Sequence, residues 1–186
     1  MTIISNNCAG WCLYKSMRLP YDSPTIALQI MPEEFTKFCK DFKHYMSLPL
    51  MEYTLRSERH ISYLKRLYQG PVNYPVDFPI GIVGDIMIAF QHYNSFQEAK
   101  EKWDRRKARI DYDNLNFIFV LDYDRYAEEA QDFASANLDH SFVFTNNFDI
   151  PGKHYKYTVP EGACFLDVFD KKYVFEGDWR REELCH

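Results

Sequence analysis

A single-domain α/β fold, built on a mainly parallel, Rossmann-like open sheet flanked by helices, is what this sequence predicts, with an irregular β-rich insertion and further strands toward the C-terminus. Three observations carry that expectation. Leu115 to Leu121 is apolar at every position but Asn116, too continuous in that character for a surface edge, and so reads as a central strand. It is followed by a helical pattern from Ala127 to Leu138 and a second strand from His140 to Asn146, and strand, helix and strand in succession favour parallel pairing. The chain also opens on the apolar pair Ile3-Ile4, which breaks into the polar turn Ser5-Asn6-Asn7-Cys8 ahead of a short helix over Trp11 to Met17. A chain of 186 residues is long enough to bury one core without disulfide or metal staples.

The remaining elements follow from spacing and punctuation. Thr25 to Ile30 reads as a buried strand, and Pro32-Glu33-Glu34 then starts a helix, because proline suits the first helical turn and carboxylates suit its positive end. Phe35, Phe38, Cys39 and Phe42 recur at helical spacing and mark its core face. Between Ser47 and Pro79, prolines and Gly70-Pro71 break the pattern. The expectation there is short strands near Glu52 to Leu55 and Ile61 to Leu64, with Arg56, Arg59, His60, Lys65 and Arg66 forming a solvated face or one that meets an anion. Ser95 and Glu98 make a capping box for a helix to about Arg109. Tyr155 to Val159 and Tyr173 to Phe175 read as strands, and Trp179 to Leu184 as a closing helix.

Composition excludes some classes of function. A net charge of −5 is the wrong sign for a protein whose business is displacing counterions from nucleic acid. No apolar run is long enough to cross a bilayer, and the first residues lack the pattern of a signal peptide, so a cytoplasmic location is expected. The five cysteines have no regular spacing and fit reduced thiols, while Cys8 and Cys12 lack a second pair to complete a zinc site. The glycines of Phe78 to Phe90 do not have dinucleotide-binding spacing, so they make no strand-to-helix phosphate cradle and leave the cofactor unknown. Fourteen Tyr and fifteen Phe supply rings for the core and for the walls of a cleft.

Three pieces of the chain together resemble a bacterial family known by its domain of unknown function, DUF1919, whose members are often labelled as exopolysaccharide biosynthesis proteins. They are Ile4 to Gly10 with Tyr14-Lys15 and Ser23-Pro24-Thr25; Tyr74-Pro75 to His92-Tyr93 with Gly84-Asp85-Ile86; and Glu98 to Arg106 running to Asp113-Asn114-Leu115. Trp11-Cys12 departs from the pattern where a glycine and an apolar residue are expected, and the C-terminal end is less typical. The resemblance implies work in surface-polysaccharide assembly, on a sugar or activated-sugar ligand.

In an open parallel sheet ligands gather at the carboxyl ends of the strands, which places Asn6, Asn7, Cys8, Asp122, Asp124, Thr145 and Asn146 at the expected edge; Asn6, Asn7, Gly10, Asp122 and Asn146 are the substrate-binding residues expected in this region. One reading makes the protein an acyl- or glycosyl-group transferase, with Cys8 as nucleophile or donor-contacting thiol, His92 as general base and Asp85 orienting the imidazole. Asn6 and Asn7 would donate to an oxyanion or sugar hydroxyl, Gly84 would let backbone approach the ligand beside Asp85, and Arg105 and Arg106 would take phosphates. The alternative is a noncatalytic module that binds a sugar phosphate or nucleotide with the same residues. A third reading puts a divalent ion among Asp85, Asp122 and Asp124, since Asp122-Tyr123-Asp124 has the Asp-x-Asp form of some glycosyltransferases.

Overall fold

Apolar residues on both faces of two sheets give the protein its layers. The computed structural model describes residues 1–55, 57–68, 78–121, 124–162, 165–170 and 184. The first sheet is parallel, in the order β1-β6-β7-β8, from Thr2–Ser5, Leu115–Leu121, Ser141–Asn146 and Tyr155–Tyr157. The second is antiparallel, in the order β2-β5-β4-β3, from Gln29–Ile30, Ile86–Ala89, Ile80–Val83 and Leu50–Glu52. Parallel pairing therefore accounts for one of two sheets, not for a mainly parallel fold, and among the described residues the irregular segment from Ser47 to Pro79 supplies one strand, β3, to the other.

Strand alternation sends neighbouring residues to opposite faces, and the cores follow it. Ile4, Phe117, Phe119 and Leu121 of the parallel sheet share a core with Ile86 and Ile88 of the antiparallel one. Helices α2 (Pro32–Lys40), α5 (Phe96–Lys107) and α6 (Ala127–Ser135) contribute Phe35, Trp103 and Phe133 to it. On the far face of the parallel sheet, Ile3, Ile118 and Val120 pack with α1 (Ala9–Met17) and α7 (Phe165–Phe169). On the far face of the other, Met87 and Ala89 pack with Tyr63 and Leu64 of α4 (Glu58–Tyr68). A short helix, α3 (Phe42–Ser47), joins α2 to β3.

Several expectations hold closely. The strand at Leu115–Leu121 is internal to its sheet, and Pro32 begins a helix whose Phe35, Phe38 and Cys39 are buried. Ser95 caps α5, its side chain accepting from the Glu98 N–H, while the Glu98 carboxylate accepts from the Asn94 N–H. Others do not. Ile61 to Leu64 lies in α4, not in a strand, and Thr25 to Ile30 is a strand only over its last two residues, because Ala27 has a positive φ of 61° that breaks extended backbone. The expected strand at Tyr173 to Phe175 falls outside the described residues, as does all of the expected closing helix except Leu184.

β1 lies at the edge of its sheet, so alternate N–H groups face away from β6. Hydroxyl groups meet them: Ile3 N–H donates to Tyr14 Oη at 2.9 Å, Ser5 N–H to Thr25 Oγ1 at 3.0 Å, and Asn7 N–H to Ser5 Oγ at 3.5 Å. Ser23 and Thr25 are themselves buried and bonded to each other at 3.0 Å. The Tyr14 and Ser23-Pro24-Thr25 motifs therefore complete the backbone hydrogen bonding of an edge strand.

Candidate functional site

Asn6 stands where the two sheets diverge. Its side-chain amide pairs with Val120 on both sides, Nδ2 donating to the carbonyl at 3.0 Å and Oδ1 accepting the N–H at 2.9 Å. An amide side chain has the donor and acceptor of a peptide group, so Asn6 extends the β1–β6 ladder by one rung with its side chain. Its backbone N–H still donates to the Ile118 carbonyl of β6 at 3.4 Å, but its carbonyl is released from the ladder and accepts the N–H of Ile30 on β2 at 2.8 Å. One residue thus ties the parallel sheet to the antiparallel one.

The residues after it are held with equal economy of contacts. Asn7 Nδ2 also donates to the Val120 carbonyl, at 3.2 Å, and its Oδ1 accepts the Ala9 N–H at 3.0 Å, meeting one of the unpaired donors at the start of α1. Cys8 is 6% exposed, with Sγ 4.0 Å from the Leu28 carbonyl. Gly10 faces β1 so closely that a Cβ there would lie 2.8 Å from Ser5 Cβ, which makes it a packing glycine. In Asn6 and Asn7 the Nδ2 groups each spend one N–H on Val120 and keep a second.

A small cavity of about 50 Å³ opens at this point, beyond the carboxyl ends of β1 and β6. Asn6, Asn7 and Gln29 bring amides to it, Met31 and Pro32 bring apolar wall, and Arg66, Arg125 and Tyr126 also line it. The last three residues line a broader groove of about 510 Å³ as well, together with Glu33, Ser62, Lys65 and Glu129. Cavity and groove therefore meet at two guanidinium groups and a phenol. Arg66 is steadied there by Glu33, at 3.3 Å, and by Ser62 Oγ, which accepts from its guanidinium at 2.9 Å. Burial pushes the Tyr126 phenol up, with the Glu33 charge adding to the effect. Asn6 and Asn7 reach this cleft as their position predicted, whereas Gln29, Arg125, Tyr126 and Glu129 were not among the expected site residues.

The other expected residues lie elsewhere. Gly84 and Asp85 form the two-residue turn between β4 and β5, where Val83 pairs with Ile86 and Gly84 takes a φ of 59°, the glycine-first geometry favoured in tight hairpins. Asp85 is ion-paired to Lys37 and accepts from Tyr45 Oη at 2.9 Å, and these two bonds lower its carboxyl from the usual aspartate range. His92 is exposed in the turn after β5 and makes no hydrogen bond among the described residues. The four residues of β5 therefore hold Asp85 and His92 at opposite ends of an extended strand, roughly 13 Å at ~3.3 Å per residue. Asp85 does not orient that imidazole.

Arg106 is buried and donates to Tyr93 Oη at 2.7 Å, and Tyr93 in turn donates to the Ile26 carbonyl at 2.7 Å, so this guanidinium braces the core side of α5. Arg105 is exposed on the same helix, and Asn146 is the last residue of β7, paired with Tyr157. Neither lines the cleft. Asp122 lies outside the described residues, and Asp124 is exposed in a 3-10 turn. Among the described residues no group of three or more His, Cys, Asp and Glu side chains is placed to hold a metal ion, and no helix is long and apolar enough to cross a membrane.

Fold and cleft define a mixed α/β protein in which a parallel and an antiparallel sheet, flanked by helices, meet beside a polar cavity. Residues 1–174 match the family described as Domain of unknown function (DUF1919), and the chain belongs to that family. It is similar to an uncharacterized protein of Haemophilus influenzae, 29% identical over 173 residues that make up 92% of this chain and 70% of the relative.

Proposed function

We propose that the cleft binds a phosphate-bearing activated sugar, and that the protein acts in exopolysaccharide or capsule assembly as a transferase of the glycosyl group. The observation that carries this is the order of chemistry along the cleft, with neutral amides of Asn6, Asn7 and Gln29 at the cavity and the guanidinium groups of Arg66 and Arg125 where it meets the groove. Amides suit sugar hydroxyls, and guanidinium forks match phosphate oxygens. The reading treats the parallel half as a Rossmann-like sheet, whose ligands lie outside the carboxyl ends of the strands. It also places the protein in the cytoplasm. Between the two transfers, the geometry favours glycosyl over acyl, because Cys8 is not among the residues lining the cavity.

A second reading, a noncatalytic sugar-phosphate or nucleotide binding module, is favoured by one observation: Asp85 and His92 are held apart, so the expected base and its orienting group do not assemble. Calorimetric titration with a panel of nucleotide sugars tests both. Loss of one charge-assisted contact of about 1.5–3 kcal/mol predicts that Arg66→Ala weakens binding by roughly 10- to 100-fold. Equal affinity in wild type and variant, or no binding by the panel, overturns the cleft as the site. Turnover of the bound donor to free sugar and nucleotide separates the transferase from the binding module.

A further inference from the structure

The groove next to the arginines holds one carboxyl group whose situation differs from that of its neighbours. Glu129, in the first turn of α6, lines the groove, and its Oε2 is shielded from solvent with no hydrogen-bond partner among the described residues. Glu33, across the same groove, is paired with Arg66, and Glu34 nearby accepts from the Met87 N–H at 3.0 Å and is paired with Arg59 at 3.2 Å. A shielded carboxylate oxygen without a donor is costly, whereas a neutral carboxyl in the same place loses much less solvation.

We propose that Glu129 meets the ligand as a neutral carboxyl, donating its O–H to a phosphate oxygen of the activated sugar held by Arg66 and Arg125. This rests on the phosphate-bearing ligand proposed above and adds to it a proton taken from solvent. The groups that face Glu129 come from each element around the groove. From α2 there is Glu33, from α4 Lys65 and Arg66, from the 3-10 turn Arg125 and Tyr126, and from α6 itself Glu128 and Asp132. Burial raises the Glu129 carboxyl above the usual glutamate range, its own backbone N–H opposes that, and the charges of Glu33, Glu128 and Asp132 add to the rise. A bound phosphate brings further negative charge to the same place and favours the proton still more.

UDP-glucose is a suitable probe because its diphosphate diester keeps two charges, one on each phosphate, between pH 5.5 and pH 8, so a pH effect on binding reports the protein. The expected result is an affinity that falls about five-fold or more across that range in the wild type and is flat in Glu129→Gln, whose amide donates at every pH. A wild-type profile that is flat, or a slope that survives in Glu129→Gln, overturns the proposal, and if Arg66→Ala still weakens binding by about 10-fold or more the proposed function stands without it. Absence of any UDP-glucose binding overturns both. A ligand-free measurement guards against a misfolded variant: in carbon-13 titrations of side-chain carboxyls, Glu129 is expected to titrate above the usual glutamate range, and titration within or below that range overturns the proposal.

Discussion

Replacing Asn6 by alanine removes a rung of the sheet made by a side chain, and its cost can be worked from the contacts. The Val120 carbonyl keeps a donor, Asn7 Nδ2 at 3.2 Å, but the Val120 N–H loses its acceptor in a site where Val120 is 2% exposed. An orphaned buried donor costs about 1–3 kcal/mol, and net loss of the second bond adds about 0.5–1.5 kcal/mol, for roughly 2–4 kcal/mol in all. With a urea dependence of about 2 kcal/mol per molar, the unfolding midpoint falls by roughly 1–2 M, read by circular dichroism at equilibrium. Asn7→Ala spares the Val120 N–H and removes a cap-like contact to Ala9, so it costs about 1 kcal/mol. The double variant leaves the Val120 carbonyl without either amide, and exceeds the sum of the singles by about 1 kcal/mol. A midpoint for Asn6→Ala within about 0.3 M of wild type would refute the reasoning, since loss of these two bonds lowers it by at least about 1 M. So would strict additivity of the pair.

Gly10→Ala sets a methyl 2.8 Å from Ser5 Cβ, and overpacking of about 1–3 kcal/mol lowers the melting temperature by about 2–4 °C for each kcal/mol, measured by calorimetry. Cys39 is fully enclosed and burial pushes its thiol well above the ordinary range, so peptide-resolved iodoacetamide labelling at pH 8 finds it unmodified until urea unfolds the chain. Asp85 has a lowered carboxyl in the folded protein, so its contribution is present above the unfolded value of about 4 and fades as pH drops through the folded one. Because the side chains of Asp85 and Lys37 are 55% and 58% exposed, that contribution is small: Asp85→Asn lowers stability by less than about 1 kcal/mol at pH 7, and urea melts of the two proteins converge toward pH 3. Ser95→Ala costs about 1 kcal/mol by removing the oxygen that accepts the Glu98 N–H.

Local rules made α2, α5 and β6 legible, because each is written within its own residues: proline and two glutamates ahead of Phe35, Ser95 three residues before Glu98, and a run at Leu115–Leu121 that is apolar at every position but Asn116. The second sheet was not. Its strands are two to four residues long, and pairing of Gln29 with Ala89 or Leu50 with Val83 is a long-range choice that no short run announces. The punctuated pattern between Ser47 and Pro79 suggests a short strand at Ile61 to Leu64, although buried His60, Tyr63 and Leu64 recur at helical spacing. That misreading hid part of the site. On a helix, Ser62, Lys65 and Arg66 share the side opposite Tyr63 and Leu64, and these three line the groove. Asn6 and Asn7 were legible as a sheet-edge turn, but their hold on Val120, a residue 113 or more positions away, depends on β1 lying beside β6.

The hydroxyls beside β1 have a consequence for assembly. An open sheet edge is a template on which another chain can add a strand, and proteins guard such edges with charge, proline or a covering loop. Here the guard is Tyr14, Thr25 and Ser5, whose oxygens occupy the positions an incoming strand's carbonyls would need. Copies of this protein cannot extend the parallel sheet through β1 without first displacing those bonds. Any association on that side must use side-chain surfaces, and the chain is protected there against edge-to-edge aggregation.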